Sequence, residues 1–234
     1  MLLCRYLHSS AAAEKSYDLT NVAELGCGMV AFTALSTDGL ATDGHPRSVF
    51  NNCVNIKLSG GTGDARKLMW DDGPEGAQQC QELVNEFGAF TLLAVADCVH
   101  FQDFHSDLLC TICRMLKVGG KAVLVQPKRG DSLQSFFKVV STLTTGSDPA
   151  LTCDVASCES CDAEVWRSHQ SCLKSCRQDY SEDCHLPVYV TLEIKREWRE
   201  ASDGVKVREQ SAANKSSRDM QRCERINRNK EKMK

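Results

Sequence analysis

Ten residues, FTLLAVADCV from Phe90 to Val99, limit the folds open to this chain more than any other stretch. They are apolar almost throughout and lack the alternation of a strand with one wet face. A strand of this kind is buried on both sides, which a parallel sheet covered by helices provides. The surrounding segments agree. NVAELG, LATDG, KLMWDDG and KAVLVQPKRG read as further strands. Between them MVAFTALS, RSVFNNCVNIKL, AQQCQELVNEFG, FHSDLLCTICRMLKVGG and SLQSFFKVVSTL carry helical spacing, the fourth closed by glycine. A short helix is expected over LLCRYLHSS near the start, and LPVYVTLEIK alternates like a late antiparallel strand. The pattern predicts an α/β fold, a doubly wound and mostly parallel sheet with a terminal antiparallel hairpin.

With 234 residues, one sizeable domain is expected. From Glu197 the apolar periodicity dissolves into REWREASDGVKVREQ and a basic end. The expected division is therefore a domain over 1–196 and a polar, disordered tail over 197–234. The basic end, Lys215 to Lys234, fits a solvated tail, a steering patch for acidic partners or a nuclear address. A net charge of −3 gives no bias toward nucleic acid, and no apolar run reaches the roughly 20 residues of a membrane span. The N-terminus lacks the basic and apolar regions of a signal peptide, so a cytoplasmic location, with a nuclear one beside it, is expected. Fourteen cysteines are then mostly free thiols.

One turn carries chemistry. Glu24-x-Gly26-x-Gly28 follows the first strand. In an open parallel sheet, ligands lie at the carboxyl ends of the strands, where glycine lets the turn tighten and a ligand approach the backbone. Asp43 ends the second strand, where a carboxylate can accept from ribose hydroxyls. Trp70-Asp71 ends the expected third strand, with an aromatic face for an adenine ring, and Asp97 ends the fourth. Alone, the glycine motif also suits a nicotinamide-dependent oxidoreductase or a plain helix start.

Taken together, VAELGCGM, ATDG, MWDDG, VADCVHFQDFHSDLL, GGKAVLVQPKRGDSLQSF and HLPVYVTLEIK resemble the seven-strand S-adenosylmethionine-dependent protein lysine methyltransferases, most of all the calmodulin-lysine N-methyltransferases. The similarity runs from about Leu2 to Lys195, and ADCVHF with PKRGDSL is its specific part. It implies a Rossmann-like seven-strand domain, S-adenosylmethionine as cofactor and a protein substrate such as calmodulin; from the residues, no resident metal is expected. By position it implies Gly26 and Gly28 beside the methionine moiety and Glu24 supporting that turn. Asp43 would hold the ribose, and Trp70 and Asp71 the adenine. Ala96 and Asp97 would line the opening where the lysine enters, with Phe101 and Phe104 as its aromatic wall. Asp97 and Phe101 are thus the expected catalytic pair, Asp97 orienting the amine.

The chain departs from that family in two places. Fifteen positions separate Gly28 from Asp43, against about twenty in the related dinucleotide fingerprint, so the first crossover is short. His100 stands where a D-x-x-Y pattern has an aromatic. A catalytically impaired protein of this fold, acting as a scaffold, is the alternative function. Cys158, Cys161, Cys172 and Cys176 equal a zinc ligand set in number, but their spacing departs from common zinc modules, and free thiols are the expectation. SGGTGDARK lacks the end of a phosphate loop and is expected as a flexible loop. Lys128-Arg129 suits either an acidic substrate or a solvated loop.

Overall fold

The computed structural model describes residues 17–31, 38–175, 179–213 and 216. Seven strands form one sheet: β1 (Val22–Leu25), β2 (Leu40–Asp43), β3 (Asp64–Lys67), β4 (Phe90–Ala96), β5 (Leu116–Pro127), β6 (Leu151–Ser157) and β7 (Pro187–Ile194). Their order is β3-β2-β1-β4-β5-β7-β6. The first five pair in parallel, and β7 runs antiparallel to both β5 and β6. Helices α1 (Pro46–Leu58), α2 (Pro74–Phe87), α3 (His105–Met115) and α4 (Ser132–Thr144) connect or follow the parallel strands. Helices α5 (Cys158–Cys161), α6 (Ala163–Lys174) and α7 (Glu182–His185) separate β6 from β7.

The centre of the sheet explains its apolar sequence. Successive β4 side chains point to opposite faces. Leu93 and Val95 join one core with Leu124, Leu108, Ile112, Phe136 and Val140. Leu92 and Ala94 join another with Val123, Val125, Val165 and Tyr189. Because both faces are covered, α3 is buried along nearly its whole length, including Leu108, Leu109, Cys110 and Ile112. Helix α1 starts with His45 as its cap, the ring nitrogen accepting from the Arg47 N–H, and with proline in its first turn. Every cysteine whose side chain is described is a free thiol.

The structure differs from the sequence-based expectation at several points. The third strand is Asp64–Lys67, not the following KLMWDDG. As an edge strand paired only to β2, it needs just one buried side chain, Ala65, and charges occupy the rest. Part of the expected SGGTGDARK loop is therefore strand, and Leu68 to Trp70 belongs to the connection after it. The antiparallel partner of β7 is the unforeseen β6, whose half-exposed pattern hides its period. These two strands are a pair separated by residues 158–186, not a tight hairpin. Helix α3 stops at Met115, before the glycines, because β5 already begins at Leu116.

The packed domain also continues past Glu197. Residues 205–213 are helical, Val207 is fully buried, and Trp198 packs on the main core. Asp203 is buried in a two-pronged contact with Arg196 (2.6 and 2.9 Å). Few apolar positions suffice here because charged pairs fasten the segment. The expected helix over Leu2–Ser10 lies outside the described residues, as does the basic end from Lys215 to Lys234 except Ser216. The expected first crossover helix lies outside them beyond Ala31, and its first residues, Met29 and Val30, form turn and bend.

Candidate active site

Strands β1, β2 and β4 end on the same edge of the sheet. A cavity of about 350 Å³ opens there, lined among others by Gly26, Asp43, Trp70, Ala96, Asp97 and Phe101. That volume falls at the lower end of ligand pockets.

The glycine turn is built by φ and by crowding. Gly26 and Gly28 both lie in the left-handed region, at φ 64° and 62°. A Cβ on Gly26 would stand 2.8 Å from Cys98 Sγ and 2.8 Å from the Trp70 ring, whereas one on Gly28 would meet nothing. The Gly28 N–H donates to Asp43 Oδ2 (2.8 Å), and the His45 N–H to Asp43 Oδ1 (2.7 Å). Asp43 is thereby fixed facing the turn, with lone pairs left for a further donor. Beyond the turn, the buried Asn52 of α1 donates to the Gly28 carbonyl (2.8 Å) and accepts from the Ala31 N–H. Asn52 braces the exit of the turn, and nothing in the sequence pattern singled it out. Glu24 is buried but does not line the cavity.

Trp70 lines the cavity. Asp71 does not: its carboxylate accepts from the N–H groups of Gly73 (2.8 Å) and Gly76 (2.9 Å) and shapes the entry to α2. Helix α3 secures the same loop from behind, Arg114 donating to the carbonyls of Asp71 (2.6 Å) and Asp72 (2.9 Å).

At the other end lies the loop after β4. Asp97 is left-handed, at φ 53°, and its N–H donates to the Val125 carbonyl (3.0 Å). Its carboxylate receives two hydrogen bonds from Arg129, Nε to Oδ1 at 2.9 Å and Nη2 to Oδ2 at 2.6 Å. Hydrogen bonding to Asp97 raises the Arg129 pKa despite partial burial. Arg129 is itself left-handed, at φ 42°. Lys128 pairs instead with Asp183 (3.1 Å). The imidazole of His100 lies 3.8 Å from the Phe101 ring, and Phe104 meets Phe101 edge-on at 6.3 Å. Phe101 and Phe104 are about half exposed, an aromatic wall open to incoming groups. Behind them, Val99 is pinned by the buried Gln126, His105 and Ser132. Ser132 belongs to the block PKRGDSL, and Gln126 directly precedes it.

Two thiols face this region. Burial, with the charges of Glu24 and Asp43 next, pushes Cys27 up to about 12. Burial and then Asp97 push Cys98 up to about 12. Of the possible zinc set, Cys158 is buried and Cys172 half-buried, while Cys176 and the Cys161 side chain lie outside the described residues.

No family model matches the chain. It is 32% identical over 166 residues to calmodulin-lysine N-methyltransferase of Arabidopsis thaliana, a match covering 65% of this chain and 49% of that protein. The chain thus spans about half the length of the curated relative it matches. Among solved structures it is similar to the plantazolicin methyltransferase BpumL, in complex with a pentazolic desmethylPZN analogue and SAH. The TM-score is 0.51 at 10% identity, covering 83% of this chain and 84% of that one. It is similar also to the StiE O-MT, with a TM-score of 0.50 at 11% identity, covering 85% and 77%.

The chain has a methyltransferase fold.

In this methyltransferase fold Gly26, Asp43, Trp70, Ala96, Asp97 and Phe101 line one cavity, while Glu24, Gly28 and Asp71 are not part of its lining. Met69, Cys98 and His100 also line it and were missed as site residues; a methionine, a thiol and a histidine carry no spacing rule that marks a pocket wall.

Proposed function

We propose that the chain transfers methyl groups from S-adenosylmethionine to a lysine side chain of a protein, calmodulin being the substrate its relative suggests. The observation that carries this reading is the continuity of one cavity from a glycine turn, past a carboxylate at the end of β2, to an aromatic mouth beside Asp97. The residues fit the cofactor. The space where a Gly28 Cβ would lie is open, Asp43 retains acceptor capacity for ribose hydroxyls, and the Trp70 ring offers an apolar face. When bound, the cofactor supplies a methyl group on a sulfonium that is already a good leaving group.

The protein's task is then positioning and exclusion of water. A lysine amine must arrive neutral, and burial against Phe101 and Phe104 favours loss of its proton to solvent. The same rings accept a methylated ammonium on their faces. With its carboxylate oxygens held by Arg129, Asp97 serves as a fixed negative wall that orients the amine, not as a mobile base. The thiols of Cys27 and Cys98 stay protonated and do not compete for the methyl group.

Radiolabelled methyl transfer from S-adenosylmethionine to calmodulin tests the reading. Label on a lysine, lost in Asp43→Ala, is expected. Methyl-donor binding without transfer to any protein would point to the scaffold alternative, and tight NAD binding instead would remove the reading.

A further inference from the structure

A second cavity, of about 440 Å³, sits at the same edge of the sheet, where β5 ends at Pro127 opposite the start of β7 at Pro187. Arg129 connects the two cavities. It lines the second, while its Nε and Nη2 hold Asp97, which lines the first. Its Nη1 has no hydrogen bond among the described residues.

The second cavity contains an unmet polar group. His169 on α6 is 2% exposed; its Nδ1 is paired with the Tyr180 hydroxyl at 2.8 Å, and its Nε2 has no partner among the described residues. In the tautomer whose Nδ1 accepts from the Tyr180 hydroxyl, Nε2 carries the ring proton and is a buried donor without an acceptor among the described residues. Two rings pack on His169, Trp166 stacked at 5.6 Å and Tyr180 tilted at 5.5 Å. Glu164 is the one carboxylate among the described lining residues, set against Arg129, His169 and His185. With that tautomer the surplus is one of donors, so the complementary ligand is an anion that accepts.

We propose that this cavity is a recognition subsite for the carboxylate of an aspartate or glutamate two positions from the target lysine. The inference rests on the lysine methyltransferase reading. Alternate side chains of an extended peptide point to the same face, about 7 Å apart. A lysine entering beside Asp97 therefore brings the side chain two positions away toward the far side of Arg129. The acid would take the free Nη1 of Arg129 and the Nε2 of His169, and Asp97 would keep its own two bonds.

Three fluorescent peptides that differ only in having Glu, Gln or Lys two positions from the target lysine test this, their binding to the full chain read by anisotropy with S-adenosylhomocysteine present. The Glu peptide is expected to bind about tenfold more tightly than the Gln peptide, and the Lys peptide more weakly still. His169→Phe, which keeps a ring and removes the donor, should abolish the Glu-over-Gln preference. Should that variant fail to fold, the half-buried His185→Ala is expected to reduce the preference about threefold. Equal binding of all three peptides to the unaltered chain, or a preference untouched by the folded variants, overturns the subsite. Methyl transfer to the peptides separates the two ideas. Equal transfer to all three leaves the lysine reading standing and the subsite rejected, while equal binding with no transfer rejects both.

Discussion

Arg114 and Glu200 meet in a two-pronged ion pair, Nε to Oε2 at 3.1 Å and Nη2 to Oε1 at 2.7 Å, that binds the end of the domain to the loop behind Trp70. Arg114 is almost fully buried, and the same guanidinium holds the Asp71 and Asp72 carbonyls. Arg208 adds a contact to the Asp72 carbonyl (2.5 Å) and to Glu200 (3.3 Å). A segment whose composition suggested a loose tail thus fastens one wall of the cavity.

Removing that fastening should reach the cavity. Arg114→Ala removes the guanidinium from the Asp71 and Asp72 carbonyls and from Glu200, leaving Arg208 alone on Asp72 and Arg208 with Trp198 on Glu200, at a cost of about 2–3 kcal/mol. Truncation after Arg196 should act in the same direction and weaken S-adenosylmethionine binding about tenfold, since the Trp70 loop loses its anchor. Thermal melting and calorimetry check both; binding unchanged by truncation would mean the loop holds its shape unaided.

Gly26→Ala and Gly28→Ala should differ in degree. Both force a left-handed alanine, worth about 1–2 kcal/mol. Only the first also drives a methyl group into Cys98 and Trp70. Gly26→Ala should abolish methyl-donor binding, and Gly28→Ala should weaken it by about tenfold, by calorimetry. Equal loss in both would mean that crowding at Gly26 is relieved by ring movement.

Asp107 supplies a pH signature. Burial pushes its carboxyl up to about 6 from the ordinary 3.8, although it accepts from the Asp72 N–H at 2.9 Å. The folded protein therefore holds this proton where the unfolded chain has released it. Its unfavourable contribution is absent below pH 3.8, grows as pH rises, and is complete above about 6. Asp107→Asn should raise stability by about 1 kcal/mol at pH 7.5, a gain of a few degrees in Tm that shrinks at pH 5. A gain equal at both pH values would place the cause elsewhere.

Thiol mapping checks the electrostatics of the cavity floor. With Cys98 pushed up to about 12, iodoacetamide at pH 8 should modify the exposed Cys184 well before Cys98. Mass spectrometry after a short exposure reads the order. Early labelling of Cys98 would show that the floor opens to solvent.

Much of this architecture was legible in the sequence for a physical reason. Where a strand is covered on both faces, as from Phe90 to Val95, burial leaves an apolar run that few other structures produce. Glycines at φ 64° and 62°, and the Asp43 carboxylate that receives one of their N–H groups, likewise leave a readable turn. Edge strands leave less. Asp64–Lys67 needs a single buried alanine, and β6 is half wet, so neither showed its period. The site divided along the same line. Trp70 lines the cavity, while the Asp71 carboxylate is taken by the N–H groups of Gly73 and Gly76. Arg129 and Asn52 act through partners 32 and 24 residues away, a relation that adjacency in the chain does not carry.

The reversal of β7 has an architectural consequence. Since β7 runs against both neighbours, β6 points the same way as β5, and Ser157 and Pro127 finish on the edge where β7 starts. The whole excursion over residues 158–186 must therefore emerge on that edge, next to the parallel half but outside its hydrogen-bonded frame. Such a layout is modular. The excursion can be lengthened, shortened or grafted from another protein without redrawing β1, β2 and β4, so docking preference and donor grip can evolve separately on one scaffold.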